Sequence, residues 1–344
     1  MDIKSAIKRV TGGLDLNKDE MIAVMRGIMS GASTDAQNAA FLVGLQMKGV
    51  KAVEILGGAT VMRELATPVI LATSSHLVDT CGTGGSGADK FNISTAAAIV
   101  AAAAGARVAK HGNRGATSVS GSADVLEAAG LNLSLTADQV ARTIEEVGVG
   151  FMFAPAHHGA MKHVTTARRE IGVRTIFNLL GPLTNPASAP NQVMGVFDPD
   201  WIPALLNVFK ELGSNHVLIV SSADGLDEIS ISAATHVGEL KNGELSTYTI
   251  SPADIGINQY DNFDMLKIDS AQASLKMLMQ ALNYAKQAAG DIVALNAGAA
   301  IYVAGLATDL GAGVERAQAV MRSGEALDKL DQLVNFTQSI VMQE

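Results

Sequence analysis

The spacing of apolar positions changes character near residue 68. Before it, Ile22, Met25, Ile28 and Met29 recur at helical spacing, and no strand-like alternation is found. Asn17 with Glu20, and Thr34 with Gln37, have the spacing of capping boxes. Gly49 stands where a helix starting near Asp35 should end. The pattern predicts a small all-helical unit over residues 1–68. After Pro68, short apolar runs alternate with helical ones: VILAT (69–73), HLVDT (76–80), ARVAKHG (106–112), VGFMFA (149–154), NQVMGVF (191–197) and HVLIVSSA (216–223). Such alternation predicts a larger α/β unit over 69–344, with a central, largely parallel sheet flanked by helices. Segment 235–250 reads as a hairpin, because Asn242-Gly243 favours a type I′ turn. From Ser270 onward the pattern is mostly helical, with Gly290, Gly305 and Gly324 as punctuation. No internal repeat or low-complexity linker is present.

Composition narrows the class. The chain has 344 residues, 25 Lys+Arg against 34 Asp+Glu (net −9), 48% apolar and 17% charged residues, which suits a globular fold with a large core. A net acidic chain with 4% aromatics is poorly suited to a nucleic-acid groove of basic and stacking side chains. The lone Cys81 excludes an internal disulfide framework and a multi-cysteine zinc site. Two uncharged Ala-rich stretches, 91–106 and 292–308, fall short of a comfortable bilayer span, and the first carries Asn92, Ser94 and Thr95. The uncharged run 175–197 is broken by Pro182, Pro186 and Pro190. Buried core elements account for all three. The start MDIKSAIKRV lacks an apolar signal core. A cytoplasmic protein without membrane or nucleic-acid partners is expected.

The most informative stretch is DTCGTGGSGADKFNIST, residues 79–95. A strand runs into a loop with Gly82, Gly84, Gly85 and Gly87, and the loop runs into a helix whose first turn carries Ser94 and Thr95. Converging backbone N–H groups and a helix N-terminus favour a phosphate or pyrophosphate. Gly82, Gly84 and Gly87 also fit G-x-G-x-x-G. The helix starts too late after Gly87 for a dinucleotide fingerprint, however, and the next strand ends in Lys110-His111 without an acidic residue for a ribose. That strand delivers KHGNRGATS (110–118), dense in cations and donors at a strand end. Ser120-Gly-Ser122 and a short helix from about Ala123 to Ala129 follow. His157, His158 and His163 miss the spacing that sets two metal ligands on one helix face. They are expected to line a pocket or cap a helix.

GTGGSG (82–87), NIST (92–95), KHGNR (110–114), SGSADVLEA (120–128), RTIFNLLGPLTNP (174–186) and DGLDE (224–228) resemble, in order, the blocks of the anthranilate phosphoribosyltransferase family. The resemblance covers nearly the whole chain, and GTGG is shared with pyrimidine nucleoside phosphorylases. It implies transfer of phosphoribosyl from 5-phosphoribosyl 1-diphosphate to the amine of anthranilate, releasing pyrophosphate, in tryptophan biosynthesis. It also implies a helical domain joined by helices from about 168–190, a phosphoribosyl diphosphate-binding α/β domain, and a homodimer formed through the helical domains. By position, Gly82, Gly85, Ser86, Lys90, Asn92, Ile93, Ser94, Thr95, Lys110, His111, Gly112, Asn113, Arg114, Gly115, Ala116, Thr117, Ser118 and Ser122 would line the phosphoribosyl diphosphate site. Gly82, His111, Asn113, His158 and Arg168 would meet anthranilate. Ser94, Asp227 and Glu228 would hold Mg2+.

Three positions depart from the family pattern. Ser86 replaces the acidic residue of GTGGDG, Lys90 stands where threonine is common, and HPAM appears as His158-Gly159-Ala160-Met161. The implied roles agree with the residues' chemistry. Magnesium takes oxygen ligands from one or two carboxylates plus substrate phosphates, and a guanidinium fork binds a carboxylate bidentately. Arg169, next to Arg168, cannot share its helix face. The arylamine is neutral at pH 7, so no acid or base is assigned, and catalysis by orientation and charge stabilisation is expected. Two other readings are weighed. A pyrimidine nucleoside phosphorylase would not need Asp227-Glu228 as magnesium ligands, and a nucleic-acid-binding relative of the fold conflicts with the net charge.

Overall fold

The computed structural model describes residues 1–84, 87–115 and 118–340. Four helices come first: α1 (Ile3–Thr11), α2 (Lys18–Met29), α3 (Asp35–Lys48) and α4 (Ala52–Leu65). The expected capping boxes are formed at Asn17–Glu20 and Thr34–Gln37, and Gly49 ends α3. Phe41, Met25 and Leu45 pack in a core that continues into Phe177 and Leu180, and then into Leu205.

The second unit begins with β1 (Leu77–Gly82), α5 (Ile93–Ala103), β2 (Arg107–Gly112), α6 (Ser122–Ala128), α7 (Ala137–Val147) and β3 (Val149–Phe153). Short helices α8 (Ala154–His157), α9 (Lys162–Ile171) and α10 (Ile176–Leu180) lead to β4 (Asn191–Gly195). Then come α11 (Ile202–Glu211), β5 (His216–Ser222) and the hairpin β6 (Thr235–Lys241)–β7 (Glu244–Ile250). Helices α12 (Ala271–Leu282), α13 (Gln287–Val303), α14 (Leu310–Ser323) and α15 (Glu325–Ser339) close the chain. The sheet order is β3-β2-β1-β4-β5-β6-β7, parallel from β3 to β5 and antiparallel thereafter. Positive φ at Asn242 (53°) and Gly243 (83°) matches the type I′ hairpin turn.

The Ala-rich stretches are core. Helix α5 is apolar all round because it is buried on every side, against the sheet, α13 and α15. No described helix is long and apolar enough to cross a membrane.

Two expectations need correction. VILAT (69–73) is not a strand. Both edges of β1 are taken by β2 and β4, so the segment cannot pair with the strand that follows it. Its amides go instead to Pro186 O (from Val69, 3.0 Å) and to the Glu145 carboxylate (from Ala72, 2.8 Å). Gly290 does not punctuate; it lies within α13, where a Cβ would come 3.0 Å from the Tyr284 ring.

Candidate functional site

The chain runs outward from β1 through β2 to β3, then returns to lay β4 and β5 on the other side of β1. The crevice beyond the carboxyl ends of β1 and β4 is therefore a switch point, where open α/β sheets place ligands. A cavity of about 20 Å³, roughly one water in size, lies there. Gly82, Ser94, Gly195, Asp227, Glu228 and Asn296 are among its lining residues. The glycine loop thus meets the first turn of α5 and the acidic pair. Gly85 and Ser86, and Ala116 and Thr117 of the second loop, lie outside the described residues.

The acidic pair is built into the wall. Gly82 and Gly195 let it approach: a Cβ would come 2.7 Å from Asp227 Oδ2 at Gly82 and 1.7 Å from Asp227 O at Gly195. Asp224 accepts from the Ser230 and Ser232 hydroxyls (2.5 and 2.6 Å), which closes the turn before the pair. Asn296 fixes the chain after it, accepting from Ile229 N–H and donating to Ile229 O, both at 3.0 Å. Lys90 Nζ sits between the carboxylates, 2.5 Å from Asp227 Oδ1 and 2.6 Å from Glu228 Oε2. Burial disfavours the Lys90 charge, but the two carboxylates outweigh it and hold the ammonium protonated above its usual range. One ammonium between two carboxylates leaves a negative charge over. Burial raises Glu228 to about 7, with Lys90 opposing and Asp227 adding to the shift.

The donor set suits a hard divalent cation. Two carboxylates and the Ser94 hydroxyl line one small cavity, and a cation already occupies the gap between the carboxylates. No group of three His, Cys, Asp or Glu among the described residues could hold a metal, so further ligands would come from substrate oxygens.

Lys110, on β2, points inward. Its ammonium donates to Thr80 O (2.5 Å) and reaches Ser94 Oγ at 3.4 Å, placing a buried positive charge under the start of α5. Burial lowers its pKa, opposed by the Asp79 carboxylate. Arg114 is differently engaged: its guanidinium holds Asp124 (3.0 Å) and Glu127 (2.7 Å) of α6, so its charge is largely compensated. Gly115 N–H also donates to Asp124 (2.9 Å), docking the second loop on α6. Within that loop, Ser122 Oγ donates to Asn113 O (3.3 Å) and Ser118 Oγ to Ser120 O (3.4 Å). A Cβ at Gly112 would fall 2.1 Å from Ser122 Oγ.

Asn92 is occupied structurally: its amide donates to Ser120 O (3.1 Å) and accepts from Ser120 and Ser274 (2.9 and 2.6 Å). Ile93 is buried, so only its backbone can face a ligand, and the buried Thr95 hydroxyl has no hydrogen-bond partner among the described residues.

A second cluster lies beside this one. The His111 and His158 rings are 5.1 Å apart. Burial lowers His111 to about 3 and His158 to about 4, each assisted by repulsion from neighbouring histidines, so both are neutral. Their buried Nε2 atoms have no hydrogen-bond partner among the described residues. His157 turns away to Thr67 O (3.1 Å), between the two units. The carbonyl of His163 accepts from Asn38 of α3 (3.1 Å). Arg168 is half-buried with its guanidinium 5.1 Å from the Phe177 ring, while Arg169 is exposed. Burial lowers the Arg168 pKa. No carboxylate among the described residues pairs with Arg168, and no described hydrogen bond joins it to the histidines.

Comparison with known proteins is consistent across the chain. Residues 4–66 match the glycosyl transferase family helical bundle domain, and residues 74–327 match the glycosyl transferase family a/b domain. The anthranilate phosphoribosyltransferase of Thioalkalivibrio sulfidiphilus (strain HL-EbGR7) is 56% identical over 339 residues, covering 98% of this chain and 100% of its own. That of Hahella chejuensis (strain KCTC 2396) is 57% identical, covering 98% of each. The chain belongs to the anthranilate phosphoribosyltransferase family. The crystal structure of the Thermus thermophilus anthranilate phosphoribosyltransferase superposes with a TM-score of 0.91 at 40% identity, covering 97% of this chain and 99% of that one. The Saccharomyces cerevisiae anthranilate phosphoribosyltransferase, solved in complex with PRPP and Mg, shares the fold at 24% identity (TM-score 0.89, 98% of each chain).

Family motifs alone did not point to Gly195 or Asn296 as lining this cavity. Asn296 had a signal, being a lone amide within the uncharged stretch 292–308. Gly195 had none beyond ending a strand.

Proposed function

We propose that the chain transfers the phosphoribosyl group of 5-phosphoribosyl 1-diphosphate to the amine of anthranilate, releasing pyrophosphate, in tryptophan biosynthesis. The convergence of the glycine loop, the α5 N-terminus and the Asp227-Glu228 pair on one crevice carries this reading. The diphosphate would lie along residues 82–95 and the 110–122 loop, receiving backbone N–H groups and the positive end of α5. Lys110 supports that end from beneath. Ser94, Asp227 and Glu228 would hold magnesium, which when bound supplies charge neutralisation for the diphosphate leaving group. Anthranilate would meet Arg168 through its carboxylate, with Gly82, His111, Asn113 and His158 around the ring.

Because His111 and His158 are neutral, they add no positive charge against an oxocarbenium-like centre. The arylamine attacks without prior deprotonation, so these residues orient it and exclude water. The helical unit would span residues 1–68 and the α/β unit 69–344. The segment 168–190 would join the helical unit, a reading supported by the Arg63 Nε bond to Leu183 O (2.7 Å). A cytoplasmic homodimer through the helical units completes the proposal. Release of one pyrophosphate per anthranilate consumed tests the reaction, and light scattering tests the dimer.

A further inference from the structure

Lys90 stands where the family resemblance implies a threonine hydroxyl, and its ammonium lies within the acidic pair of the site. It is nearly dry: its side chain is 12% exposed, and those of Asp227 and Glu228 are 7% and 10% exposed. The contacts of 2.5 and 2.6 Å place the ammonium between the two carboxylates that would hold a divalent cation. The backbone holds Lys90 there. Phe91 N–H donates to Leu266 O (3.1 Å) and Ile268 N–H to Asp89 O (2.8 Å), tying the segment to residues 266–268 on both sides of Lys90. Asp89 has φ of 43°, a left-handed conformation that turns the chain just before the lysine.

We infer that Lys90 is a built-in competitor for the divalent cation: it occupies the Asp227–Glu228 gap in the ligand-free enzyme and must leave before the pair can hold a metal. This rests on the assignment of Asp227 and Glu228 as metal ligands. A metal arriving alone has to expel a paired ammonium. Its apparent affinity is therefore reduced by the fraction of molecules in which the lysine has already left. Without the Lys90 ammonium in the gap, a divalent ion meets the two carboxylates without having to displace it. The substitution thus makes the free enzyme a poor metal binder without altering any metal ligand.

The test is Mn2+ binding to the full-length protein at pH 8 without substrates, followed by electron paramagnetic resonance of free Mn2+. Lys90→Met keeps most of the stem and removes the charge, Lys90→Thr restores the common family residue, and Lys90→Arg retains a cation. Both neutral variants should bind Mn2+ at least about tenfold more tightly than the parent, equivalent to about 1.4 kcal/mol, and Lys90→Arg should bind weakly like the parent. Asp227→Asn/Glu228→Gln in the Lys90→Met background should abolish the gain. Unchanged or weaker binding in both folded neutral variants overturns the proposal, as does a gain that survives loss of both carboxylates. Circular dichroism identifies a variant that fails to fold, and the other neutral variant then decides. Because no substrate is present, the result is independent of whether anthranilate is the acceptor.

Discussion

Asp79 and Asn185, 106 positions apart in the chain, are joined by a buried hydrogen bond of 2.7 Å from the Asn185 amide to Asp79 Oδ2. Asp79 Oδ1 accepts the His111 N–H at 3.1 Å, and Asn185 also donates to Ala109 O at 2.9 Å. The first glycine-loop strand, the KHGNR segment and the LGPLTNP segment are therefore locked together at one carboxyl group. Burial raises the Asp79 pKa, opposed first by Lys110 and then by these hydrogen bonds. Removing this acceptor leaves the buried His111 N–H and Asn185 amide donors unpaired, at about 1–3 kcal/mol each. Asp79→Ala should lose stability on that scale in urea unfolding and lower kcat by freeing the second loop. Unchanged stability and turnover would remove Asp79 from this role.

Gly195 tests how tightly the acidic pair is seated. A methyl group there would collide with the Asp227 carbonyl, which is backbone and cannot rotate away. Gly195→Ala should displace the pair and reduce magnesium-dependent turnover by at least about a hundredfold, a barrier increase of about 2.7 kcal/mol. Gly225→Ala, in the same turn but with open space around its Cβ, should leave the pair in place and cost only its positive φ of 86°. Equal losses in turnover from the two variants would contradict the packing argument.

The neutral histidines predict an acid limb of stability. His158 has a folded pKa of about 4 against an ordinary 6.5, so the unfolded chain binds the proton first as pH falls. Its stabilisation is complete above about pH 6.5 and is lost down to about 4, by at most about 1.4 kcal/mol per pH unit. His111 continues the same trend to about 3. His158→Gln should flatten the slope of unfolding free energy between pH 6.5 and 4. A slope identical to the parent's would show that His158 does not fold as the neutral form.

Arg168 and Phe177 set the anthranilate prediction. The guanidinium is half-buried over the ring and has no carboxylate partner among the described residues, which suits an incoming carboxylate. Arg168→Ala should raise the anthranilate KM by about 10- to 100-fold, for a charge-assisted bond of about 1.5–3 kcal/mol, with a smaller change in kcat. Arg169→Ala should do little. The reverse pattern would transfer the role to Arg169.

Local physics made much of this fold readable from the sequence. Capping boxes at Asn17 and Thr34, the Asn242-Gly243 turn and the strand–glycine loop–helix of 79–95 each depend on residues a few positions apart. The strand expected at 69–73 failed because apolar content does not reveal whether a sheet edge is vacant, and β1 has none. Ser94 and Asp227-Glu228 were singled out through the family resemblance, and the fold brings the three to one cavity. Arg168 over Arg169 followed from family position, and burial against Phe177 supplies a physical reason. Arg114 was expected to serve an anion, but its ion pairs with Asp124 and Glu127 depend on how the second loop folds onto α6. Lys90 was visible as a departure, yet its partners lie 137 and 138 positions away, beyond any local pattern.

Anthranilate fluorescence followed with 5-phosphoribosyl 1-diphosphate and magnesium tests the proposed reaction most directly. The parent protein should consume the signal only when both are present, and Asp227→Asn/Glu228→Gln should lose most of its magnesium response. No loss of fluorescence at any magnesium concentration, or a normal magnesium response from the double variant, would contradict it.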